Sequence, residues 1–212
     1  MKKIIAVNDS PRPSCNTGQL VREAARGAND AGAEVVVVDL YKLDSFTGCL
    51  SCFACKRDIS FGRCILQDGL TKLLQDIREA DGLILGSPNY LSELTSGFRA
   101  LYERLIFQSY TYVSEKPCSN EKKIPVLLIT TSNRSLDEYE TRGYDRMLEE
   151  NVKFLNSQIG PTKLFVCDDT LQVKDYSIYN WNYFEPELKK KRHEEEFPHS
   201  LKEVYLLGKE LL

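Results

Sequence analysis

Five short apolar runs rich in β-branched residues, at positions 4–7, 35–40, 83–85, 126–131 and 164–167, are separated by segments long enough to be helices. This alternation limits the fold more than any other feature, because parallel strands can be joined only by crossovers of a dozen or more residues, usually helical. Helices are expected over residues 19–31, closed by Gly32, and over 68–80, 96–107 and 138–158. Right-handed crossovers then predict an α/β, doubly wound, five-stranded parallel sheet in the order 2-1-3-4-5. With 212 residues, 42% of them hydrophobic, the chain can bury one good core. A domain over residues 1–170 and an extension over 171–212 packed on it are expected.

The formal net charge of −3 gives no electrostatic footprint for nucleic acid. No apolar run approaches the roughly 18 to 20 residues that span a bilayer. The first residues lead directly into a strand pattern without a signal-peptide core, so no membrane partner and a cytoplasmic location are expected. The two histidines, His193 and His199, both lie near the C-terminus, which gives hydrolytic Ser–His or Cys–His chemistry little to draw on.

Cys49, Cys52, Cys55 and Cys64 form a C-x2-C-x2-C run followed by a fourth cysteine, in a loop over residues 45–67 after the second strand. Several soft ligands in one small volume suit an iron–sulfur cluster or zinc. A [4Fe-4S] cluster is the leading reading, since zinc sites more often pair two separate knuckles; zinc, or thiols without metal, are the alternatives. Cys15, Cys118 or Cys167 could replace Cys64 as fourth ligand, or simply pack as small apolar residues.

In an open α/β sheet, ligands bind beyond the carboxyl ends of the strands where the strand order reverses. The loop after the first strand carries Ser10, Arg12, Ser14, Asn16 and Thr17 before a helix N-terminus. Its hydroxyls, amide and free backbone N–H groups suit a single phosphomonoester. The plainer alternative is an ordinary helix start capped by Asn16 or Thr17. After the third strand, Gly86-Ser87-Pro88-Asn89-Tyr90-Leu91-Ser92 offers a stiff turn with flat apolar surface that could receive a planar ring; it could also be only a turn.

Together these residues resemble the iron–sulfur flavoproteins within the NAD(P)H-dependent FMN reductase branch of the flavodoxin-like superfamily. The family's G-S-P-R-x-x-(G)-N-T pattern reads here from Asp9 to Thr17, and its G-S-P-x-Y pattern, followed by a helix ending in Asp/Glu-Arg, reads as Gly86 to Tyr90 and Glu103-Arg104. The resemblance implies that Ser10, Arg12, Asn16 and Thr17 bind the phosphate of FMN, with Ser14 in the same loop. It also implies that Pro88, Asn89, Tyr90 and Ser92 border the ring, beside Leu91, whose apolar surface belongs to the same turn, and that Thr131, Ser132 and Asn133 complete the pocket. Asp9 stands where the family has glycine, and the spacing before Cys64 is slightly longer than usual. The implied function is electron transfer by a flavin-dependent oxidoreductase, with NAD(P)H possible as donor and a small molecule or protein as redox partner. The alternatives are an NAD(P)H-dependent FMN or quinone reductase, or a non-enzymatic electron carrier. No dedicated catalytic side chain is expected. A homodimer or homotetramer is implied, in keeping with the aromatic stretch from Tyr102 to Tyr112.

Tyr176, Tyr179, Trp181, Tyr183, Phe184 and Phe197 make the extension too aromatic for a disordered tail. It is expected to pack on its own domain, to form a dimer interface or to cover a cofactor. The run from Lys189 to Arg192 followed by Glu194 to Glu196 reads as a solvated helix face with i,i+4 pairs Lys190–Glu194, Lys191–Glu195 and Arg192–Glu196.

Overall fold

The computed structural model describes residues 1–58 and 61–212, so residues 59 and 60 of the expected cysteine loop lie outside the described residues. Strands β1 (Lys3–Asn8), β2 (Glu34–Asp39), β3 (Gly82–Tyr90), β5 (Val126–Thr131) and β6 (Thr162–Cys167) form a parallel sheet in the order β2-β1-β3-β5-β6. A two-residue strand, β4 (Glu93–Leu94), pairs with β3 antiparallel. Leaving this small strand aside, the order is the expected 2-1-3-4-5.

The central strands are continuously apolar because both faces are covered. Ile5, Val7, Leu83, Leu85, Val126 and Leu128 face one core, with α2 (Thr71–Glu79), α3 (Ser96–Ser109) and α5 (Tyr144–Gln158) over it. Ile4, Ala6, Ile84, Leu127 and Ile129 face the other, against α1 (Asn16–Asp30) and α6 (Pro186–Lys209). Each fully buried aliphatic side chain contributes roughly 1.5–3 kcal/mol of transfer free energy. The edge strands β2 and β6 are partly exposed.

Several sequence expectations need correction. Helix α1 starts at Asn16, three residues early, and its N-cap is Cys15 without a side-chain cap bond, so neither Asn16 nor Thr17 caps it. Helix α2 is shorter than expected at both ends, and α3 runs two residues further. The expected helix over 138–158 is interrupted: Gly143, at φ 69°, separates α4 (Tyr139–Arg142) from α5. That left-handed conformation is one glycine adopts without a Cβ penalty.

Residues 86–90, read as loop, belong to β3. They stay extended because Leu91 and Ser92, both at positive φ, turn the chain back so that Asn89 and Tyr90 pair with Leu94 and Glu93. The lysine-rich stretch of α6 is also not uniformly solvated. Lys189 is buried and ion-paired with Asp169, Lys190 pairs with Glu187, and Arg192 reaches Asp168 and Asp169; of the expected pairs only Lys191–Glu195 forms.

Candidate functional site

The carboxyl ends of β1, β3 and β5 bring three loops to one rim. Asp9 N donates to Gly86 O at 2.7 Å, and the buried hydroxyls of Thr17 and Thr131 lie 2.8 Å apart. Thr95 joins them further: its hydroxyl donates to Asp9 O and accepts from Phe98 N, capping α3 while holding the first loop.

The first loop is shaped from within. Ser10 Oγ bonds both the N–H and the carbonyl of Arg12, and Cys15 N donates to Arg12 O, folding the loop back onto the start of α1. Ser14 is exposed in the same loop. At Gly18 a Cβ would lie 1.9 Å from Pro13 O, so only glycine lets the loop sit against the helix. Arg22 Nη1 also holds Pro13 O, while its Nη2 forks to both oxygens of Asp39. Burial alone would raise the Asp39 carboxyl, but hydrogen bonds from Asn8, Arg22 and Lys42 bring it down to about 2.

No acidic residue occupies the first turn of α1, and its free N–H groups open on this rim, which suits an anion. Asp9 itself is fully buried, and neither carboxylate oxygen has a hydrogen-bond partner among the described residues. Burial pushes its carboxyl well above the usual range and so favours the neutral acid, which would not repel a phosphate.

At the end of β3, Pro88 and Asn89 are half-buried, Tyr90 and Ser92 exposed, and Leu91 almost wholly solvent-facing. Asn89 Oδ1 accepts from Ser92 N, which fixes the turn. Thr131 and Ser132 are buried at the end of β5, and Asn133 follows them at the surface of the same loop.

The four cysteines line a single pocket together with Phe53, Ile65, Leu66, Arg104, Phe107 and Gln108. Ser51 and Phe53 both take positive φ, giving the loop the alternating turns that wind a chain around a small volume. Helix α3 supplies the supports. Glu103 Oε2 accepts from Cys49 N, Gln108 Oε1 accepts from Cys64 N, and Arg104 Nη2 donates to Leu66 O. Burial pushes the Cys55 thiol up, Lys56 opposes this, and Cys64 and Cys49 reinforce it. Among the described residues, no group of three or more His, Cys, Asp or Glu side chains is arranged to hold a metal ion, so the four cysteines share a pocket without a formed ligand set.

The two halves adjoin. A groove of about 920 Å³ runs from Cys49 and Ser51 to Ser92 and Glu93 and on between α3 and α5. The structure brings Ser10, Arg12, Asn16 and Thr17 to one rim with Thr131 and Ser132 and brings the four cysteines to one pocket, whereas Thr95 and Gln108, which bond these loops, were missed. Only Glu103-Arg104 carried a signal, as part of the helix-ending pattern.

Residues 2–136 match the model of the NADPH-dependent FMN reductase family. The chain belongs to that family. Within it, the chain is 35% identical over 102 residues to an iron–sulfur flavoprotein of Methanocaldococcus jannaschii, covering 48% of this chain and 51% of that one. It is 29% identical over 104 residues to an iron–sulfur flavoprotein of Methanosarcina thermophila, covering 49% and 52%. The chain thus matches about half the length of these curated relatives. Among solved structures, an NAD(P)H:quinone oxidoreductase from Methanothermobacter marburgensis superposes with TM-score 0.70 at 15% identity, covering 99% of this chain and 96% of that one. An azoreductase from Bacillus anthracis does so with the same score and identity, covering 99% and 100%. At that identity these two show the shared flavodoxin-like fold. Membership of the family is shown over residues 2–136, and among the described residues no helix is long and apolar enough to cross a membrane.

Proposed function

We propose that this family member is an FMN-binding iron–sulfur flavoprotein that transfers electrons between a reduced donor and an acceptor. The observation that carries the reading is the single pocket lined by Cys49, Cys52, Cys55 and Cys64, on the groove that reaches the second flavin loop at Ser92. The names of the two archaeal relatives support it.

The residues fit both groups. Ser10, Arg12, Ser14, Asn16 and Thr17 would receive the phosphate at the start of α1. Residues Pro88 to Ser92 would border the ring, and Thr131, Ser132 and Asn133 would close the pocket. Four thiolates within an apolar wall, flanked by Lys56 and Arg104, suit a [4Fe-4S] cluster. When bound, FMN would take electrons as a pair and release them singly, matching a cluster that passes one at a time. The chain's own part is to orient and shield. Helix α3 holds the cysteine loop through Glu103, Arg104 and Gln108 while its N-cap, Thr95, holds the first flavin loop, so one rigid element sets the distance between the two half-sites.

NAD(P)H as donor, a small molecule or protein as acceptor, and a cytoplasmic setting belong to the same proposal. So does a homodimer or homotetramer, for which Tyr102, Phe107, Tyr110, Tyr112 and Phe154 along the α3–α5 groove supply apolar surface; a monomer in light scattering would refute that part.

The test is metal and flavin analysis of protein purified without oxygen. About four irons and one FMN per chain are expected. One zinc per chain would make the cysteine loop structural and leave an FMN-dependent reductase. Protein that neither contains FMN nor binds it when added would overturn the reading.

A further inference from the structure

The segment that follows β6 is tied to the first and third flavin loops by side chains of those loops. Arg12 Nη1 donates to Gln172 O at 2.6 Å, and Asn16 Nδ2 donates to Leu171 O at 2.8 Å. Asn133 Nδ2 donates to Gln172 Oε1 at 3.1 Å, while Ser132 O accepts from both the N–H and the hydroxyl of Thr170. Gln172 N in turn donates to the hydroxyl of Tyr176, which is buried beneath Trp181. Beyond that, Arg134 lies 4.2 Å from the centre of the Tyr183 ring, and Lys189 bonds Asn133 O. Most of residues 177–183 are exposed, so this segment adds little to the two cores. Apart from bonds within the segment, its hydrogen bonds at Thr170, Leu171 and Gln172 go to residues of the loops placed at the proposed cofactor site.

We propose that residues 170–184 form an outer wall of the flavin site, with Gln172 and Tyr176 as positioning residues for Arg12, Asn16 and Asn133. This rests on the FMN site proposed above. A guanidinium has five N–H donors and a carboxamide two, so Arg12 and Asn16 each keep donors for a phosphate after bonding the wall. The wall carbonyls therefore set the direction of those remaining donors, and prior orientation lowers the ordering cost of binding. Conversely, a phosphate bound to Arg12 and Asn16 holds in place the two side chains that anchor Leu171 and Gln172. The wall and the phosphate stabilise each other, and the coupling acts at the phosphate end of the ligand.

Amide hydrogen exchange of the full chain tests this with FMN and with riboflavin, which lacks the phosphate. FMN is expected to slow exchange at residues 170–184, and riboflavin is expected to leave it unchanged. Gln172→Ala keeps the backbone carbonyl that Arg12 bonds and removes the link from Asn133 Nδ2 to Oε1, so it should weaken FMN about 5-fold, the loss of one net hydrogen bond at the Asn133 anchor, mainly through faster release. The thermal midpoint of the FMN-free protein should fall by no more than the loss of that one hydrogen bond. Tyr176→Phe, which removes only the acceptor of Gln172 N and keeps the buried ring, should act in the same direction. If FMN binds the wild type but exchange in the segment is unaffected, or riboflavin protects it equally, or both variants bind FMN as the wild type does, the wall is incidental and the FMN reading stands. If the wild type binds no FMN at all, both fall together.

Discussion

Nη1 of Arg104 lies 2.6 Å from both carboxylate oxygens of Asp68, with the arginine side chain 1% exposed and the aspartate 12%. The same guanidinium reaches Thr47 O and Leu66 O, so one buried cation on α3 fastens the residues on either side of the cysteine loop. Removing one member of such a pair leaves an uncompensated charge, so Arg104→Ala should cost about 3–5 kcal/mol of stability in urea denaturation. Replacing both residues together, as Arg104→Leu with Asp68→Leu, should cost clearly less. Equal losses in the single and double variants would show that the pair is not the reason for the cost.

Asp9 sets a pH dependence whose sign follows from burial. Because its folded carboxyl is raised above the unfolded value of 3.8, the native state holds the proton more tightly than the unfolded state. Its contribution is fully present below pH 3.8 and is lost as pH rises through the folded value. Asp9→Asn keeps the shape without the charge, so it should raise stability at neutral pH and flatten this part of the profile. Denaturation at a series of pH values will show it; a variant less stable than wild type at neutral pH would mean that the ionised carboxylate has a stabilising partner.

Gly18→Ala should reverse the usual rule for helices, where alanine is favoured over glycine by about 1 kcal/mol. Here the added Cβ would lie 1.9 Å from Pro13 O, a backbone atom that can yield only if the loop moves. Fluorescence titration is expected to show FMN affinity falling about 10-fold or more, the effect of misplacing one or two charge-assisted bonds. Unchanged affinity would place the phosphate elsewhere.

Cys64→Ser should release iron from protein purified without oxygen, because Cys64 shares a pocket with Cys49, Cys52 and Cys55. Cys118→Ser serves as the control: its sulfur contacts Lys123 Nζ and Gln158 O and does not line that pocket. Iron retained in Cys64→Ser and lost in Cys118→Ser would reassign the fourth ligand.

Much of this arrangement was legible in the sequence because it depends on local order. The apolar runs named all five parallel strands: β1, β3 and β5 because a strand covered on both faces has few polar positions to hide it, and the partly exposed β2 and β6 because their residues are still mostly apolar or β-branched. The C-x2-C-x2-C run and the two loop patterns were legible because each is a run of near-consecutive residues, and the structure gathers the cysteines in one pocket and the loops on one rim. Boundaries were less legible. The interruption at Gly143 and the extension of β3 through Tyr90 depend on single backbone conformations, at Gly143 and at Leu91 and Ser92, that hydrophobic periodicity does not encode.

What sequence alone determined is the alternation of strand and helix, hence the order of the sheet, and the identity of the residues presented at its rim. Tertiary structure decided which distant groups meet there. Lys189, in a run that reads as a solvated face, is buried against Asp169 and Asn133 O. Asp68 is joined to Arg104 across 36 positions, and Gln172 to Arg12 across 160. Such partners leave no periodic trace, because a hydrogen bond or ion pair between remote residues is specified only when the packing of the whole sheet has brought them within about 3 Å.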